Sequence, residues 1–226
     1  MKNCLMIMSV RDEEIIKHAI SKLKIPKVWF KGFTEYELNT HIPSFIEETN
    51  YDNYFIVSDD VIISPENFSY LEEALHKYEI VTGWGCFRHN NHLATIHSQG
   101  KQWIHCQGGR LPLMEKYNKF LKTYEMDALP DEFEVSFTGW FFTGIRRHIW
   151  LEHPYHTIAA NDIQGTSQYL ASTDAQWSNR ITNQNKYKQM CIKKANITHV
   201  SYISTPGENS WWKYDFNKKE IIKELD

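Results

Sequence analysis

The chain has 226 residues, of which 42% are hydrophobic and 23% charged, an ordinary composition for a globular protein. Its net charge of −3 provides no basic field of the kind that binds nucleic acid, so we expect no nucleic-acid partner. No apolar run approaches the ~20 residues that span a bilayer, and the four cysteines form no C-x-x-C pair, which favours a reduced, cytoplasmic protein.

The first half of the chain alternates apolar runs with helical patterns. The apolar runs predict strands at 4–10, 27–33, 54–57 and 80–84. Helical periodicity or start signals predict helices at 13–23, 44–49 and 65–78. Such alternation indicates right-handed βαβ crossovers, and therefore an α/β fold with a mostly parallel central sheet flanked by helices. Ligands of such sheets bind outside the carboxyl ends of the strands.

The pattern changes near residue 89. The second half predicts loops or an antiparallel excursion at 89–110, a helix at 113–124, a strand at 135–145, a mobile loop at 157–167, a helix at 173–183 and a strand at 188–192. The length favours one domain over 1–226. We divide it into a first half, 1–88, a second half, 89–205, and a tail, 206–226, whose spacing of charged and apolar residues predicts a helix.

The acidic pair Asp59 and Asp60 follows the strand predicted at 54–57, with Ser58 between the strand and the pair. A nucleoside diphosphate is doubly charged, and a divalent cation held by one or two carboxylates could neutralise that charge. Carboxylates at the carboxyl end of a central strand would lie at the ligand-binding edge of the sheet. The competing interpretation is a turn and an N-cap before the helix that opens at Pro65.

Four segments extend this pattern through the chain. In order they are IMSVRDEEIIKHAISKL, YFIVSDDVIISPENFSYLEEAL, FTGWFFTGIRRHIW and TDAQWSNRITNQNKYKQMCI. The ordered set resembles the glycosyltransferase A-type (GT-A) fold, closest to glycosyltransferase family 2, over roughly 5–200. The resemblance implies a single GT-A-like domain with a nucleotide-binding half at 1–88 and an acceptor and catalytic half at 89–205.

The resemblance implies a donor site in the first half. Ser9 and Arg11 would contact the nucleotide, and Asp60, with Asp59 beside it, would contact Mn²⁺ or Mg²⁺. His199 occupies the position of a histidine that can face the metal in related enzymes; a structural histidine is the alternative.

The resemblance also implies roles for residues of the second half. Asp174 matches the family's general base, which would take the proton of the acceptor hydroxyl and give inversion. Trp177, on the same helix, could stack on a sugar ring, whereas Gly139 and Arg146 would lie near the donor. An aromatic core strand that ends in two solvated arginines is the alternative for the segment that contains Trp140 and Arg146.

The sequence departs from the family pattern at two acidic positions, which are Ser58 and Thr173 here. These departures keep open a catalytically silent carbohydrate-binding protein that retained the fold. Asp174 could then be an acidic residue in the first turn, favoured by the helix dipole. A nucleotidyltransferase is a third possibility, but it would need a glycine-rich loop after the first strand, and MSVRDEE contains no glycine.

The expected partners are a nucleotide-sugar donor and a glycan, lipid-linked or protein acceptor. The tail contains Trp211 and Trp212 ahead of a run rich in lysine and glutamate. Interfacial tryptophan and lysine would favour a peripheral membrane contact; the alternative is a helix that docks on the domain.

Overall fold

A computed structural model describes residues 1–9, 14–31, 37–87, 90–98, 120–138, 140, 142–156, 173–199, 201–202, 212–215 and 220–223. Arg11, Gly139 and the loop predicted at 157–167 lie outside these residues. Within them, no helix is long and apolar enough to cross a membrane.

The described strands are β1 (Asn3–Ser9), β2 (Lys27–Lys31), β3 (Asn53–Ser58), β4 (Val61–Ile62), β5 (Ile80–Trp84), β6 (Cys86–Phe87), β7 (Asn90–Ser98), β8 (Phe120–Lys122), β9 (Glu132–Thr138), β10 (Thr143–Arg146), β11 (Gln189–Asn196), β12 (Thr198–His199), β13 (Ser201–Tyr202), β14 (Trp212–Asp215) and β15 (Glu220–Lys223). The described α-helices are α1 (Glu14–Ser21), α2 (Leu38–Glu48), α3 (Pro65–Ala74), α4 (Arg147–Glu152) and α5 (Thr173–Gln184). A 3₁₀ helix spans Thr123–Ala128.

A large mixed sheet forms the centre of this α/β fold. Its strand order is β2-β1-β3-β10-β5-β11-β9-β7-β6, and β8 pairs with β7. The pairs β1–β2, β1–β3 and β5–β11 are parallel, whereas β10 is antiparallel to both β3 and β5. All pairs from β11 outward through β9, β7, β6 and β8 are antiparallel. The prediction of a mostly parallel sheet therefore holds only for part of it, because the second half of the chain adds antiparallel strands.

Helices cover both faces of the sheet. Side chains of β1 and β3 are buried on both faces, since Leu5 and Phe55 pack with α1 and α3, whereas Met6 and Tyr54 pack with α2, α4 and α5. Continuous apolar runs such as YFIV fit a strand buried on both sides, which explains why these strands are predictable from sequence. We call the edge of the sheet where β1, β3 and β5 end the carboxyl edge, and the edge where they begin the amino edge.

The first strands and helices agree with the sequence predictions to within a few residues, except for α2. The proline at position 43 predicts a start at Ser44, but the helix begins at Leu38 and contains Pro43. The buried side chains Leu38, Ile42 and Ile46 are spaced four residues apart, so they lie on one face of the helix. Burial of that face outweighs the local preference of proline for a helix start.

Three predictions for the second half and the tail are wrong. The helix at 113–124 is contradicted at Phe120–Lys122, which forms β8, and the single strand at 135–145 is divided between β9 and β10, which occupy different places in the sheet. The tail helix is also wrong, because β14 pairs antiparallel with β15 and parallel with β13. The tail segment WKYD alternates aromatic and charged residues, a period of two that fits a strand.

Candidate functional site

The acidic pair lies at the carboxyl edge, where β3 ends. Tyr54 to Val57 are fully buried, and the chain then turns at Asp59 and Asp60 before β4. Asp59 is 4% exposed and Asp60 8% exposed. Burial of adjacent carboxylates costs free energy unless polar or charged partners compensate for the lost water. This turn therefore differs from a solvated surface loop, because its carboxylates need such partners.

Hydroxyl groups contact both carboxylates. The Ser9 Oγ donates to Asp59 Oδ2 over 3.4 Å, because the parallel register of β1 and β3 places Met8 opposite Ser58. The Ser58 Oγ donates to Asp60 Oδ1 over 2.7 Å. The structure thus brings together Ser9, Asp59 and Asp60, three of the residues predicted for the donor site.

A second, two-stranded sheet brings His199 to the same turn. In it β12 pairs antiparallel with β4, so that His199 lies opposite Val61, the residue that follows Asp60. The backbone position of His199 is therefore beside the acidic pair.

Asp174 lies in the first turn of α5, and its carboxylate contacts the segment between β9 and β10. The backbone N–H of Trp140 donates to Asp174 Oδ2 over 3.3 Å. Trp140 lies three residues before Thr143, which pairs with Ile56, and Asp59 lies three residues after Ile56. Because β10 is antiparallel to β3, Trp140 and Asp59 leave the sheet from the same edge. The carboxylate of Asp174 therefore belongs to the carboxyl edge, as the acidic pair does.

Arg146 does not belong to this group, and its predicted place near the donor diphosphate is wrong. The antiparallel register pairs Arg146 with Asn53 at the start of β3. At about 3.3 Å per residue, this position is roughly 17 Å along the strand from Ser58. Arg146 Nη2 instead donates to the carbonyl of Leu75 over 2.8 Å, at the C-terminal end of α3.

Its neighbour Arg147 has an equivalent place on the other face of the sheet. Its Nη2 lies 3.3 Å from the carbonyl oxygen of Ile46 and 3.4 Å from that of Glu47, in the last turn of α2. Carbonyls in the last turn of a helix lack helical partners, and arginine can supply the missing hydrogen bonds. The arginine pair therefore holds the ends of two helices.

Trp177 is also not available to a sugar ring. It is 0% exposed, its Nε1 donates to the His153 carbonyl over 2.8 Å, and its ring packs against Trp140 and Trp150. A ring without an accessible face cannot stack on a ligand, so the sugar-stacking prediction is wrong and Trp177 is a core residue.

The sequence prediction missed the contact that Trp140 makes with Asp174. It also missed a polar stripe on α5 in which Asp174, Ser178 and Thr182 follow one another at intervals of four residues. Such spacing places side chains on one helix face, so the stripe is visible in the sequence. Its partners on β9 are not, since they depend on how strand and helix pack.

The described side chains include no group of three or more His, Cys, Asp or Glu that could hold a metal ion. Asp59 and Asp60 supply two carboxylates, so a cation here would need further ligands from a bound substrate or water.

A pocket of about 740 Å³ lies at the other end of β1. Lys2, Lys22, Lys24, Phe68 and Glu72 are among the residues that line it. None of the described residues predicted for the site is among them, so this pocket is separate from the acidic pair.

No protein-family model matches the chain, and a search of curated proteins finds no match. Among solved structures, 101 chains match. One is the crystal structure of A197 from STIV, with a TM-score of 0.57 and 14% sequence identity over 100% of this chain and 95% of A197. At such low identity the similarity shows the fold alone.

Proposed function

We propose that the chain is a metal-dependent glycosyltransferase of GT-A fold that transfers a sugar from a nucleoside-diphosphate donor to a hydroxyl acceptor with inversion. The observation that carries this proposal is that three acidic residues lie at the same edge of the sheet. Asp59 and Asp60 end β3, and Asp174 reaches the same edge through the Trp140 N–H. Asp174 is distant in sequence from the acidic pair, so the fold and not local chain chemistry brings it to this edge.

The parallel arrangement of β2, β1 and β3 supports the choice of fold. Ligands bind outside the carboxyl ends of such strands, and Ser9 stands there with the acidic pair. The pairing of β12 with β4 brings the backbone of His199 beside the same turn, which supports a metal-facing role for this histidine like that in related A-type enzymes.

The residues at the acidic turn fit a hard divalent cation. Asp60 and Asp59 provide the carboxylate oxygens that Mg²⁺ and Mn²⁺ take as ligands, and such ions in transferase sites are completed by substrate phosphates and water. A bound cation would neutralise the negative charge that develops on the departing diphosphate. Within the chain, the hydroxyls of Ser9 and Ser58 hold the two carboxylates in place.

Asp174 is the proposed general base. Its carboxylate takes the proton of the acceptor hydroxyl while that oxygen attacks the anomeric carbon and the bond from the anomeric carbon to the diphosphate breaks. Attack on the face opposite the leaving group inverts the anomeric configuration. The Trp140 N–H donates to one oxygen of this carboxylate and so orients the base at the carboxyl edge.

A catalytically silent carbohydrate-binding protein is the second candidate. It is favoured by the serine in place of the first acid, because the Ser58 Oγ donates to Asp60 at 2.7 Å and so occupies an oxygen of the main proposed metal ligand. The two candidates differ in one property, since only the transferase releases nucleoside diphosphate from a donor.

The test is a panel of nucleotide sugars incubated with the protein and Mn²⁺, with release of nucleoside diphosphate as the readout. We expect turnover of at least one donor, loss of turnover with EDTA, and a fall of about 100-fold or more in kcat for Asp174→Asn, since general bases contribute about 10²–10⁴-fold. We expect Asp60→Asn to weaken donor binding that depends on Mn²⁺.

The matched control is Asp52→Asn, at the amino end of β3. Asp52 Oδ2 accepts a hydrogen bond from the Lys2 backbone at the amino edge, so its charge lies at the other end of the same strand. We expect turnover in this variant to equal that of the wild type. Full activity of Asp174→Asn would exclude this base, and sugar binding without turnover of any donor would favour the silent protein.

A further inference from the structure

A buried polar network fastens α5 to β9 directly behind Asp174. Thr138 and Ser178 are fully buried, and Gln189 is 2% exposed. Ser178 Oγ accepts from the Thr138 N–H over 3.1 Å and donates to the Thr138 carbonyl over 3.2 Å. The backbone edge of β9 is thereby hydrogen-bonded to a side chain of the helix.

The remaining hydrogen bonds of the network also connect α5, β9 and the start of β11. Thr138 Oγ1 donates to Gln189 Oε1 over 3.2 Å. Gln189 Nε2 donates to the Ser178 carbonyl over 3.1 Å and to Thr182 Oγ1 over 2.9 Å. Thr182 Oγ1 donates to the Ser136 carbonyl over 2.9 Å. Each hydroxyl proton in this set has an acceptor, so the buried groups are satisfied only when helix and strand keep this alignment.

The spacing of these contacts matches the geometry of the two elements. Asp174, Ser178 and Thr182 bond to Trp140, Thr138 and Ser136 in turn. Four helical residues rise about 6 Å, and two strand residues rise about 6.6 Å. The contacts at Ser178 and Thr182 thus have matching spacing on helix and strand, and the Trp140 contact extends the series just beyond the end of β9. A slip of one helical residue, about 1.5 Å, would disturb all three contacts, which we call the rungs of a ladder.

We infer that this ladder is a positioning device for Asp174, with Ser178 as its central positioning residue. The inference rests on the proposed function, in which Asp174 is the base. Displacement of a reacting group by about 1 Å can cost up to 100-fold in rate, and the ladder fixes the first turn of α5 along its axis. The hydrogen bonds of Ser178 and Gln189 described above all join α5, β9 and the start of β11. These residues would therefore affect the reaction through the position of Asp174.

The test compares Ser178→Ala with Thr182→Val and with the control Tyr54→Phe. Tyr54 OH is hydrogen-bonded to Thr49 at the end of α2, so its removal also costs a hydrogen bond of a core side chain but removes no bond of the ladder. Two readouts are taken: kcat and donor KM, and the hydrogen-exchange rate of the Trp140 amide, which reports the rung to Asp174.

For Ser178→Ala we expect kcat to fall about 10-fold or more with donor KM within about twofold. We also expect the Trp140 amide to exchange about 10-fold faster. Thr182→Val, which removes the rung farthest from Asp174 and can be used if Ser178→Ala does not fold, should change both quantities in the same direction by less. The control should leave both within about twofold of the wild type.

Faster Trp140 exchange in Ser178→Ala with unchanged kcat would overturn the positioning role, as would unchanged exchange. An equal fall of kcat in the control would reduce the effect to general destabilisation. A wild-type protein that turns over no donor would instead overturn the proposed function and with it the catalytic part of this inference, while the exchange rates would still decide whether the ladder holds Asp174.

Discussion

The two edges of the large sheet use polar side chains in different ways. At the carboxyl edge, carboxylates accept from side-chain hydroxyls and a turn amide, as in Ser9 with Asp59 and Trp140 with Asp174. At the amino edge, Arg146 and Arg147 donate to carbonyls at helix ends. The arginines satisfy backbone groups that the helix ends leave open, whereas the buried carboxylates of the acidic turn cost free energy unless their partners compensate for the lost water. Changes at the carboxyl edge should therefore affect activity, and changes at the amino edge should affect stability.

The largest expected effect is a loss of stability on substitution of Trp177. This residue is close in sequence to Asp174 but belongs to the core. We expect Trp177→Ala to lower the free energy of unfolding by about 3–5 kcal/mol, because a fully buried tryptophan leaves a cavity and loses its aromatic neighbours. The carbonyl of His153 also loses its indole partner. Denaturant unfolding measures this change, and Trp29→Ala on the half-buried edge strand β2 should cost less. An Ala variant of normal stability that had lost only sugar binding would restore the stacking role.

Arg146 offers a sharper test of the difference between the two edges of the sheet, because the family resemblance assigns it to the donor site. We expect Arg146→Met to lower the free energy of unfolding by about 1.5–3 kcal/mol, the range for hydrogen bonds to charged groups, through loss of the bond to the Leu75 carbonyl. Turnover and donor KM measured well below the unfolding midpoint should stay within about twofold of the wild type.

Arg147→Met is the matched control, with a smaller expected loss because its bonds to the α2 carbonyls are 3.3 and 3.4 Å long. A donor KM that rises 10-fold in Arg146→Met but not in Arg147→Met would return Arg146 to the donor site.

The sequence is sufficient to predict the first-half strands and the position of the acidic turn. A run such as YFIV is buried on both faces and fits a central strand, and the turn after such a strand must lie at the carboxyl edge. The start of α3 at Ser64–Pro65 can also be predicted from local sequence, because the cap is formed by nearby residues: Ser64 Oγ accepts from the Asn67 N–H over 3.0 Å.

The other features depend on tertiary packing, which no local sequence pattern determines. Trp177 and Arg146 are misplaced by the motif because it gives residue order but neither the exposure of a ring nor the register of β10 against β3. The ladder behind Asp174 needs the same tertiary information. The tail is mistaken for a helix because charged and apolar residues in EIIK fit either period over so short a run.

The smallest expected effect comes from an exposed cluster next to the start of β11, at the amino edge. Lys186 and Tyr187 both donate to the carboxylate of Glu152, and these bonds lower the Glu152 pKa to about 2. Burial is the main cause that lowers the pKa of neighbouring His153, whose Nε2 lies 3.3 Å from Glu152 Oε1. Because the pKa of Glu152 is lower in the folded than in the unfolded state, its contribution to stability is present above about pH 4.5 and is lost as the pH falls toward 2.

We therefore expect Glu152→Gln to lower the melting temperature slightly at pH 7, with the difference from wild type vanishing near pH 2. The difference should also shrink in high salt, since exposed ion pairs are screened. Glu73→Gln, at an exposed carboxylate with no described ion pair, is the control and should show no such dependence on pH. A deficit for Glu152→Gln that persisted unchanged at pH 2 would mean that packing of the side chain, and not its charge, stabilises this corner. The cluster would then still differ from the carboxyl edge, where the charge of Asp174 itself is what the proposed chemistry requires.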